Sequence, residues 1–321
     1  MIQASLGPAI AHEVTDWLTL GLGITGNLLR VKQDLDVHMY SPLTGFDLGD
    51  FGDPAGDLGF SLAAQDSFLL SANAGLLIEP KGGMWALGIS YRPPAKYTAD
   101  GTIVADFSEH FLYESEDPSK EIILDDTASS GMQLVVNMPM IIKAGFLVRP
   151  TQALEIEADF VWEGWSVNEA LVVKDVNFLI DTTLAPVEIA TDVALPAGFQ
   201  DAWSVRLGGE YALNDVYSVR GGALYEVSAV PSSSLGLGQV DMDKFGYGTG
   251  ISWHVNEKMS VDASFGQLFF DTKEVTDSLT EAVMVNAISG EVEEDGVIVG
   301  NGVYDSSVMM GGLSVSYVFG K

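Results

Sequence analysis

The chain has 321 residues, a length that allows two ordinary domains or one large all-β domain. Its 15 lysine and arginine residues stand against 45 aspartate and glutamate residues, and the net charge of −30 excludes a general nucleic-acid-binding protein because phosphates could not be neutralised. With 47% hydrophobic residues and a mean hydropathy of +0.22 it is too apolar for a disordered acidic chain, and without cysteine it has no disulfide, thiolate metal site or cysteine nucleophile.

Large apolar residues alternate with small or polar ones along most of the sequence. Because successive side chains of a strand point to opposite faces, alternation over eight or more residues predicts a β-strand. In chain order, eleven such runs occur at 5–13, 17–33, 67–79, 84–104, 131–149, 153–173, 201–213, 216–229, 243–255, 258–271 and 305–319. Most are longer than the roughly 5–6 residues of an average strand.

The connections between these runs are of two kinds. Short polar turns occur at 15–16, 81–83, 150–152, 214–215 and 256–257, and long acidic loops occur at 34–66, 105–130, 174–200, 230–242 and 272–304. Short turns at one end of the strands and long loops at the other are typical of bacterial outer-membrane proteins. The sequence therefore predicts an all-β fold, an antiparallel transmembrane β-barrel with short periplasmic turns and long extracellular loops.

The two faces of the predicted strands differ in composition. One face is apolar, with tryptophan and tyrosine toward the strand ends as expected of a lipid-facing surface; its members include Leu20, Leu22, Trp85, Phe160, Trp162, Trp203, Tyr211, Trp253 and Tyr317. The other face carries Asn73, Glu79, Glu155, Glu157, Asp159, Glu210 and Asp262 together with many glycines. This second face predicts a polar lumen with open space inside.

Strand parity predicts that the sequence begins inside a longer barrel. Single-chain bacterial barrels usually have an even number of strands and both chain ends in the periplasm. The run 5–13 leads into a short turn, so an odd number of strands is expected before it. Residues 1–5 lack the start of a secretory signal, and no stretch approaches the roughly 18 apolar residues of a membrane-spanning helix. Either the chain is cytosolic or its true start is missing, and the barrel pattern favours a missing start.

Several runs, in order along the chain, resemble the FadL/TodX family of outer-membrane proteins. The segments are 160–166, 199–211, 217–225 and 241–253, with weaker matches upstream. The resemblance implies a fourteen-stranded barrel, plugged by an N-terminal hatch, that imports long-chain fatty acids or other hydrophobic compounds by passive diffusion. Residues 1–321 would then be a single barrel domain that lacks the hatch, with its Asn-Pro-Ala motif, and the first strands. The chain also ends on Gly320-Lys321 instead of the terminal aromatic residue usual in such barrels.

Two groups of apolar residues are candidates for contact with a hydrophobic ligand. On the predicted lumen face, apolar side chains replace the expected polar ones at Leu77, Val161, Leu224, Leu268, Phe270 and Met310. In the long loops, Phe46, Phe51, Phe107 and Phe111 could capture a ligand at the outer surface. The alternative for each loop residue is that it packs the loops together.

The charged residues of the lumen also allow two interpretations. Arg206 and Arg220 lie on consecutive predicted strands with Glu210 and Glu226 near them, which favours a ladder of ion pairs that braces the barrel. Alternatively, one of these arginines, with Arg92 or Lys143, binds the carboxylate of a substrate.

Metal and catalytic sites find little support in the sequence. Asp47, Asp50, Asp53 and Asp57 have oxygen ligands that could hold Ca²⁺, but the EF-hand pattern is missing and a solvated acidic loop is favoured. No hydrolase, zinc-protease or phosphate-loop motif occurs, so we expect no enzyme activity and no cofactor.

The expected environment is the outer membrane of a Gram-negative bacterium. The expected partners are outer-membrane lipid and lipopolysaccharide, a hydrophobic small molecule and the barrel-assembly machinery, with no nucleic acid and a monomeric state. The alternatives to a hydrophobic-compound channel are a general diffusion porin and a barrel with a structural or adhesive role.

Overall fold

The computed structural model describes residues 2–40, 57–110, 113, 121, 123–196, 198–236, 240–280, 284–286 and 298–318. These residues form nineteen β-strands and two short 3₁₀ turns, Trp165–Val167 and Ser232–Ser234. The strands are β1 (Ile2–Leu6), β2 (Ala9–Thr15), β3 (Leu18–Tyr40), β4 (Asp57–Ile78), β5 (Trp85–Arg92), β6 (Ala95–Asp106), β7 (Thr127–Met138), β8 (Ile141–Thr151), β9 (Leu154–Glu163), β10 (Ala170–Ile180), β11 (Val187–Pro196), β12 (Ala202–Ala212), β13 (Tyr217–Glu226), β14 (Lys244–Asn256), β15 (Met259–Phe270), β16 (Lys273–Val275), β17 (Met284–Asn286), β18 (Gly302–Tyr304) and β19 (Ser307–Tyr317). Within these ranges, no helix is long and apolar enough to cross a membrane.

The large sheet is an up-and-down antiparallel meander, which confirms the predicted all-β fold. Four of the predicted runs appear as two collinear strands that share their neighbours in the sheet: β1 with β2, β5 with β6, β7 with β8, and β9 with β10. A fifth pair joins the predicted run of β12 to β11, a strand that was not predicted. Proline explains three of the breaks, at Pro8, at Pro93-Pro94 and at Pro139, because it cannot donate a hydrogen bond to the ladder. With each pair counted once, the meander follows the eleven predicted runs in chain order.

The outer ends of the strands extend further than predicted. Much of 34–66 and 174–200 was expected to be loop, but β3 continues to Tyr40, β4 begins at Asp57, and β10 and β11 form a hairpin. The ladder slips between Asn27 and Leu29 and again on β10 between Val173 and Val176. A bulge adds a residue to one strand, so the residues beyond it point to the opposite faces from those that the earlier alternation predicts. The regular sequence pattern therefore ends at the bulge, although the strand continues past it.

The first and last long strands of the meander run in the same direction. β2 pairs with β3, and β19 pairs with β15, and no pairing between β2 and β19 occurs within the described ranges. An antiparallel closure between them would therefore need an odd number of intervening strands. At the outer end, β17 pairs in parallel with the last three residues of β3, so the connection after β15 reaches across to the start of the sheet.

The register confirms the two predicted faces. Along β12, Trp203, Val205, Leu207 and Tyr211 are exposed on one face, and the alternate face carries Ser204, Arg206, Gly208 and Glu210. The same partition continues onto the neighbouring strands because each residue pairs with one of the same face. An apolar exterior and a polar, glycine-rich interior are the arrangement of a membrane barrel wall.

Candidate functional site

Two large cavities lie against the inner face of the sheet. The main chamber, about 1010 Å³, is lined by β8, β9, β12 to β15 and β19, and includes Leu224, Leu268 and Met310. The side chamber, about 560 Å³, is lined by β2 to β5, β8, β9 and β12, and includes Leu77, Lys143 and Val161. Ligand pockets in proteins commonly measure about 300–1,000 Å³, so both chambers are large enough for an organic ligand.

Glycines provide much of the open space in the main chamber. Gly208, Gly222, Gly248 and Gly266 are directly paired on four adjacent strands and all face inward. At Gly246, a Cβ atom would clash with the side chain of Leu268. Glycine there leaves room for Leu268 in the chamber wall.

The predicted apolar lumen residues separate into two groups. Five of them line the chambers just described, and only Phe270 is placed differently. Phe270 lies at the outer end of β15, where it packs against the buried side chains of Val230, Leu235, Met242 and Val275. The Nζ atom of Lys244 lies 5.4 Å from the centre of the Phe270 ring. Phe270 therefore belongs to a group of packed side chains over the outer end of the strands. We call this group the cover; it contains Val230, Leu235, Met242, Phe270 and Val275.

This cover is held by a polar network around Lys244. The Lys244 side chain is only 13% exposed, and Nζ lies 2.6 Å from Asp241 Oδ1 and 2.9 Å from Glu226 Oε1. Nearby, the backbone N–H of Ser228 donates to Asp243, and its hydroxyl bonds to Asp241. The loop after β13 is thus tied to the start of β14.

Arg220 belongs to a ladder of polar contacts across five strands, as the bracing interpretation expects. Its Nε donates to Glu210 Oε2 at 2.5 Å on β12, and its Nη2 donates to Ser252 Oγ at 2.7 Å on β14. Asp262 on β15 accepts from Ser252 and from Ser314 on β19 and lies 3.5 Å from Arg220 Nη2. Two of the three nitrogens of the Arg220 guanidinium, Nε and Nη2, are thus engaged by protein, which disfavours Arg220 as the partner of a substrate carboxylate.

Arg206, Arg92 and Lys143 differ from Arg220. All three are on the inner face, and none makes a side-chain hydrogen bond or ion pair with any residue that the structure describes. Lys143 and Arg206 line the side chamber, and Arg206 also lines the main chamber. Although Asp159 is the register partner of Arg206, the two side chains do not form an ion pair. The inner wall therefore presents unpaired positive charge where the chambers adjoin.

A second group of ion pairs, around Arg149, joins strands at the end of the lumen where the short turns lie. It was not predicted from the sequence. Arg149, at the end of β8, donates through Nε to Glu155 at 2.6 Å and through Nη1 to Glu79 and to the carbonyl of Gly83. It joins β4, β8 and β9 below the side chamber. Two features of the sequence point to these ion pairs. Arg149 is at an inward position in the alternation of its strand, and it lies beside a short turn.

The candidate loop residues are only partly described. Phe46, Phe51 and Phe111 lie outside the described residues, as do Asp47, Asp50 and Asp53, so ligand capture and Ca²⁺ binding there stay predictions. Asp57 begins β4. Phe107 is fully buried in an outer core, the cluster of apolar side chains from β4, β6, β7 and β10 that includes Leu58, Ile103, Leu134 and Phe178. In this conformation Phe107 packs the outer strands together and does not face solvent.

One serine–histidine contact occurs in the lumen. Ser218 Oγ lies 3.3 Å from His254 Nε2, but Ser218 is only 2% exposed. Asp262, on the next strand, is bonded to Ser252 and forms no ion pair with His254 among the described residues. A buried hydroxyl without an oriented base is a poor nucleophile, so this contact is a structural one.

A comparison with protein families matches this arrangement to a known group. The profile of the family described as "Outer membrane protein transport protein (OMPP1/FadL/TodX)" matches residues 1–305. The long-chain fatty acid transport protein of Escherichia coli K12 is 26% identical over 192 residues, which cover 59% of this chain and 39% of that protein. The corresponding Salmonella typhi protein is 25% identical over 228 residues, 65% of this chain and 49% of that one. The chain spans about half the length of the curated relatives it matches.

Solved structures show the same fold at low sequence identity. A Pseudomonas aeruginosa FadL homologue superimposes with a TM-score of 0.68 at 18% identity and covers 99% of this chain and 68% of its own. The Pseudomonas putida toluene transporter TodX gives a TM-score of 0.56 at 16% identity, with 85% of this chain and 65% of TodX covered. At these identities the likeness establishes a shared barrel fold.

Proposed function

The chain belongs to the OMPP1/FadL/TodX family of outer-membrane transport proteins, and from this membership we propose that it forms a channel for passive uptake of long-chain fatty acids or other hydrophobic compounds. The family places it in the outer membrane of a Gram-negative bacterium. The relatives' names specify long-chain fatty acids in one group and toluene in another, so both classes of ligand are candidates.

The observation that carries this proposal is the composition of the main chamber. A purely aqueous channel would be lined by polar groups throughout, whereas Leu224 on β13, Leu268 on β15 and Met310 on β19 line about 1010 Å³ of inner space. Apolar walls with a few polar groups are the general form of a site for a hydrophobic ligand. The apolar outer face of the same strands supports a position of this chamber within the membrane.

The unpaired cations support a fatty acid as one ligand. A carboxylate near Arg206 or Lys143 would gain charge-assisted hydrogen bonds without breaking an existing ion pair. Arg220 would have to leave Glu210 and Ser252 first. We therefore assign the carboxylate to the side chamber, whose lining has two cations, Lys143 and Arg206, and one carboxylate, Asp159. The acyl chain would extend from there along the apolar residues of the chambers.

Uptake by cells tests the proposal. Bacteria that lack their own fatty-acid channel and produce this protein are expected to take up labelled oleate, and Leu224→Trp is expected to reduce the rate several-fold by filling the main chamber. Val205→Trp, on the paired strand but on its exposed outer face, is the matched control and should leave the rate unchanged. Equal rates for both variants would contradict a route through the main chamber.

Planar-bilayer conductance separates the proposed channel from a general diffusion porin. The lumen carries both signs of charge, at Arg220, Glu210 and Asp262 among others, and this is the feature that would favour a porin. A large, steady current through the protein would favour the porin, and small or absent current together with oleate uptake would favour the hydrophobic-compound channel. An adhesive or structural role would give neither current nor uptake.

A further inference from the structure

A third, smaller cavity lies beneath the cover at the outer end of β9 and β12. This outer chamber, about 290 Å³, is lined by Val161, Trp165, Phe199, Ser204, Arg206 and Val230, among others. Trp165 and Phe199 form an edge-to-face pair with ring centres 6.0 Å apart, and Val161 and Val230 are buried. Arg206 also lines the main and side chambers, so the outer chamber adjoins both of them. Its walls are mainly apolar and partly aromatic.

Ser204 gives this chamber an unused polar group. Its side chain is only 3% exposed, faces inward and lines the outer chamber. It makes no side-chain hydrogen bond with any residue that the structure describes, whereas the buried hydroxyls of Ser228 and Ser252 are both engaged. The Ser204 hydroxyl is therefore open to the chamber and is available to form a hydrogen bond with water or with a bound molecule.

The carboxylates around the chamber are already occupied. Glu163 accepts a hydrogen bond from Trp165 Nε1 at 2.7 Å, and Glu226 and Asp241 both bind Lys244. The polar groups that remain for a ligand are therefore the Ser204 hydroxyl and the Arg206 guanidinium, and the guanidinium can only donate. Three carboxylates against two cations leave the chamber with a net negative charge, which disfavours an anionic ligand.

We propose that the outer chamber is a binding site for a small neutral molecule, of about the size of one substituted ring, that carries a hydroxyl or carbonyl oxygen. The aromatic pair and the two valines would contact the ring, and Ser204 and Arg206 would bond the oxygen. A volume of about 290 Å³ is at the lower limit of ligand pockets and is too small for a whole long-chain fatty acid. The proposal rests on the proposed function, because a ligand reaches this chamber only if the channel admits hydrophobic compounds.

Three ligands with one methylphenyl body test the proposal: toluene, p-cresol and p-toluate. Affinities are measured by calorimetry on the whole chain refolded in amphipol. One net hydrogen bond predicts that p-cresol binds about fivefold to tenfold more tightly than toluene. The negative surroundings predict that p-toluate binds less tightly than p-cresol.

Ser204→Ala is expected to lower the p-cresol to toluene affinity ratio several-fold, because only the Arg206 guanidinium would remain to bond the oxygen. Ser264→Ala, an inward serine of the main chamber, is the control and should keep the ratio. Because the Ser204 hydroxyl has no protein partner, its removal should not lower the melting temperature, and p-cresol should raise the melting temperature of the wild type more than that of Ser204→Ala. A p-cresol preference that is unchanged in Ser204→Ala, or p-toluate binding more tightly than p-cresol, would overturn the proposal.

Failure of this inference is distinguishable from failure of the proposed function. Oleate uptake without binding of any of the three ring compounds would remove the outer chamber as a site and leave the channel. Selective p-cresol binding in a protein that takes up no hydrophobic compound would support the site and contradict the transport proposal.

Discussion

Replacing Leu207 with arginine measures whether the outer face of this sheet contacts lipid. Leu207 is the central residue of β12, five residues from either end, and its side chain is 59% exposed on the outer face. Five residues extend about 17 Å along a strand, or about 12 Å along the membrane normal at a tilt of ~45°. Leu207 should therefore lie near the middle of an apolar band ~25 Å tall, where an arginine costs about 2–4 kcal/mol of folding free energy.

The assay is urea unfolding of the protein in phospholipid vesicles, followed by tryptophan fluorescence. Ser264→Arg is the matched control, because Ser264 lies near the centre of β15 but faces the main chamber. It should cost less than about 1 kcal/mol since its guanidinium would remain in water. If Leu207→Arg destabilised the protein no more than Ser264→Arg, the assignment of the outer face to lipid would be refuted.

Three further predictions concern the polar contacts of the lumen, the cover and the outer core. Arg220→Gln should lower the free energy of unfolding in vesicles by about 1 kcal/mol, because it breaks a polar network. Arg206→Gln should change the free energy of unfolding by less than about 0.5 kcal/mol. Equal losses for the two variants would show that the two arginines do not differ. Lys244→Met should lower the free energy of unfolding by about 1–3 kcal/mol, because it leaves two carboxylates without their cation. It should also speed proteolysis of the loop after β13. Unchanged cleavage would contradict the role of Lys244 in the cover. Phe107→Ala should lower the free energy of unfolding by about 3–5 kcal/mol. The loss should appear as faster amide hydrogen exchange in β6 and β7, while β13 and β14 keep their protection. A uniform loss of protection would mean that the outer core is not a separate unit.

Alternation predicted the strands where the ladder is regular, and failed where it shifts. The runs on β12 to β15 keep one register from end to end apart from a shift beside the last turn, and their predicted faces agree with the structure. On β4 and β10 a bulge changes the facing of the residues beyond it, and the strand continues where the pattern ends. The outer core that covers these segments joins residues far apart in the chain, such as Leu58 and Phe178, and no local pattern contains that information.

The same limit applies to the site, because alternation assigns a face but not a neighbour. Arg206 and Arg220 have the same inward parity, but the register pairs Arg220 with Gly250, whose missing side chain lets the guanidinium reach β14 and β15. Arg206 is paired with Asp159 and Leu224 and forms no comparable network. Turn lengths fix the register between β12 and β13, but the long connection before β12 does not fix its register with β9 from sequence alone. Whether an inward arginine is ion-paired, as Arg220 is, or unpaired, as Arg206 is, therefore depends on the register across a long connection. Whether the Ser204 hydroxyl has a hydrogen-bond partner in the protein depends on the same register.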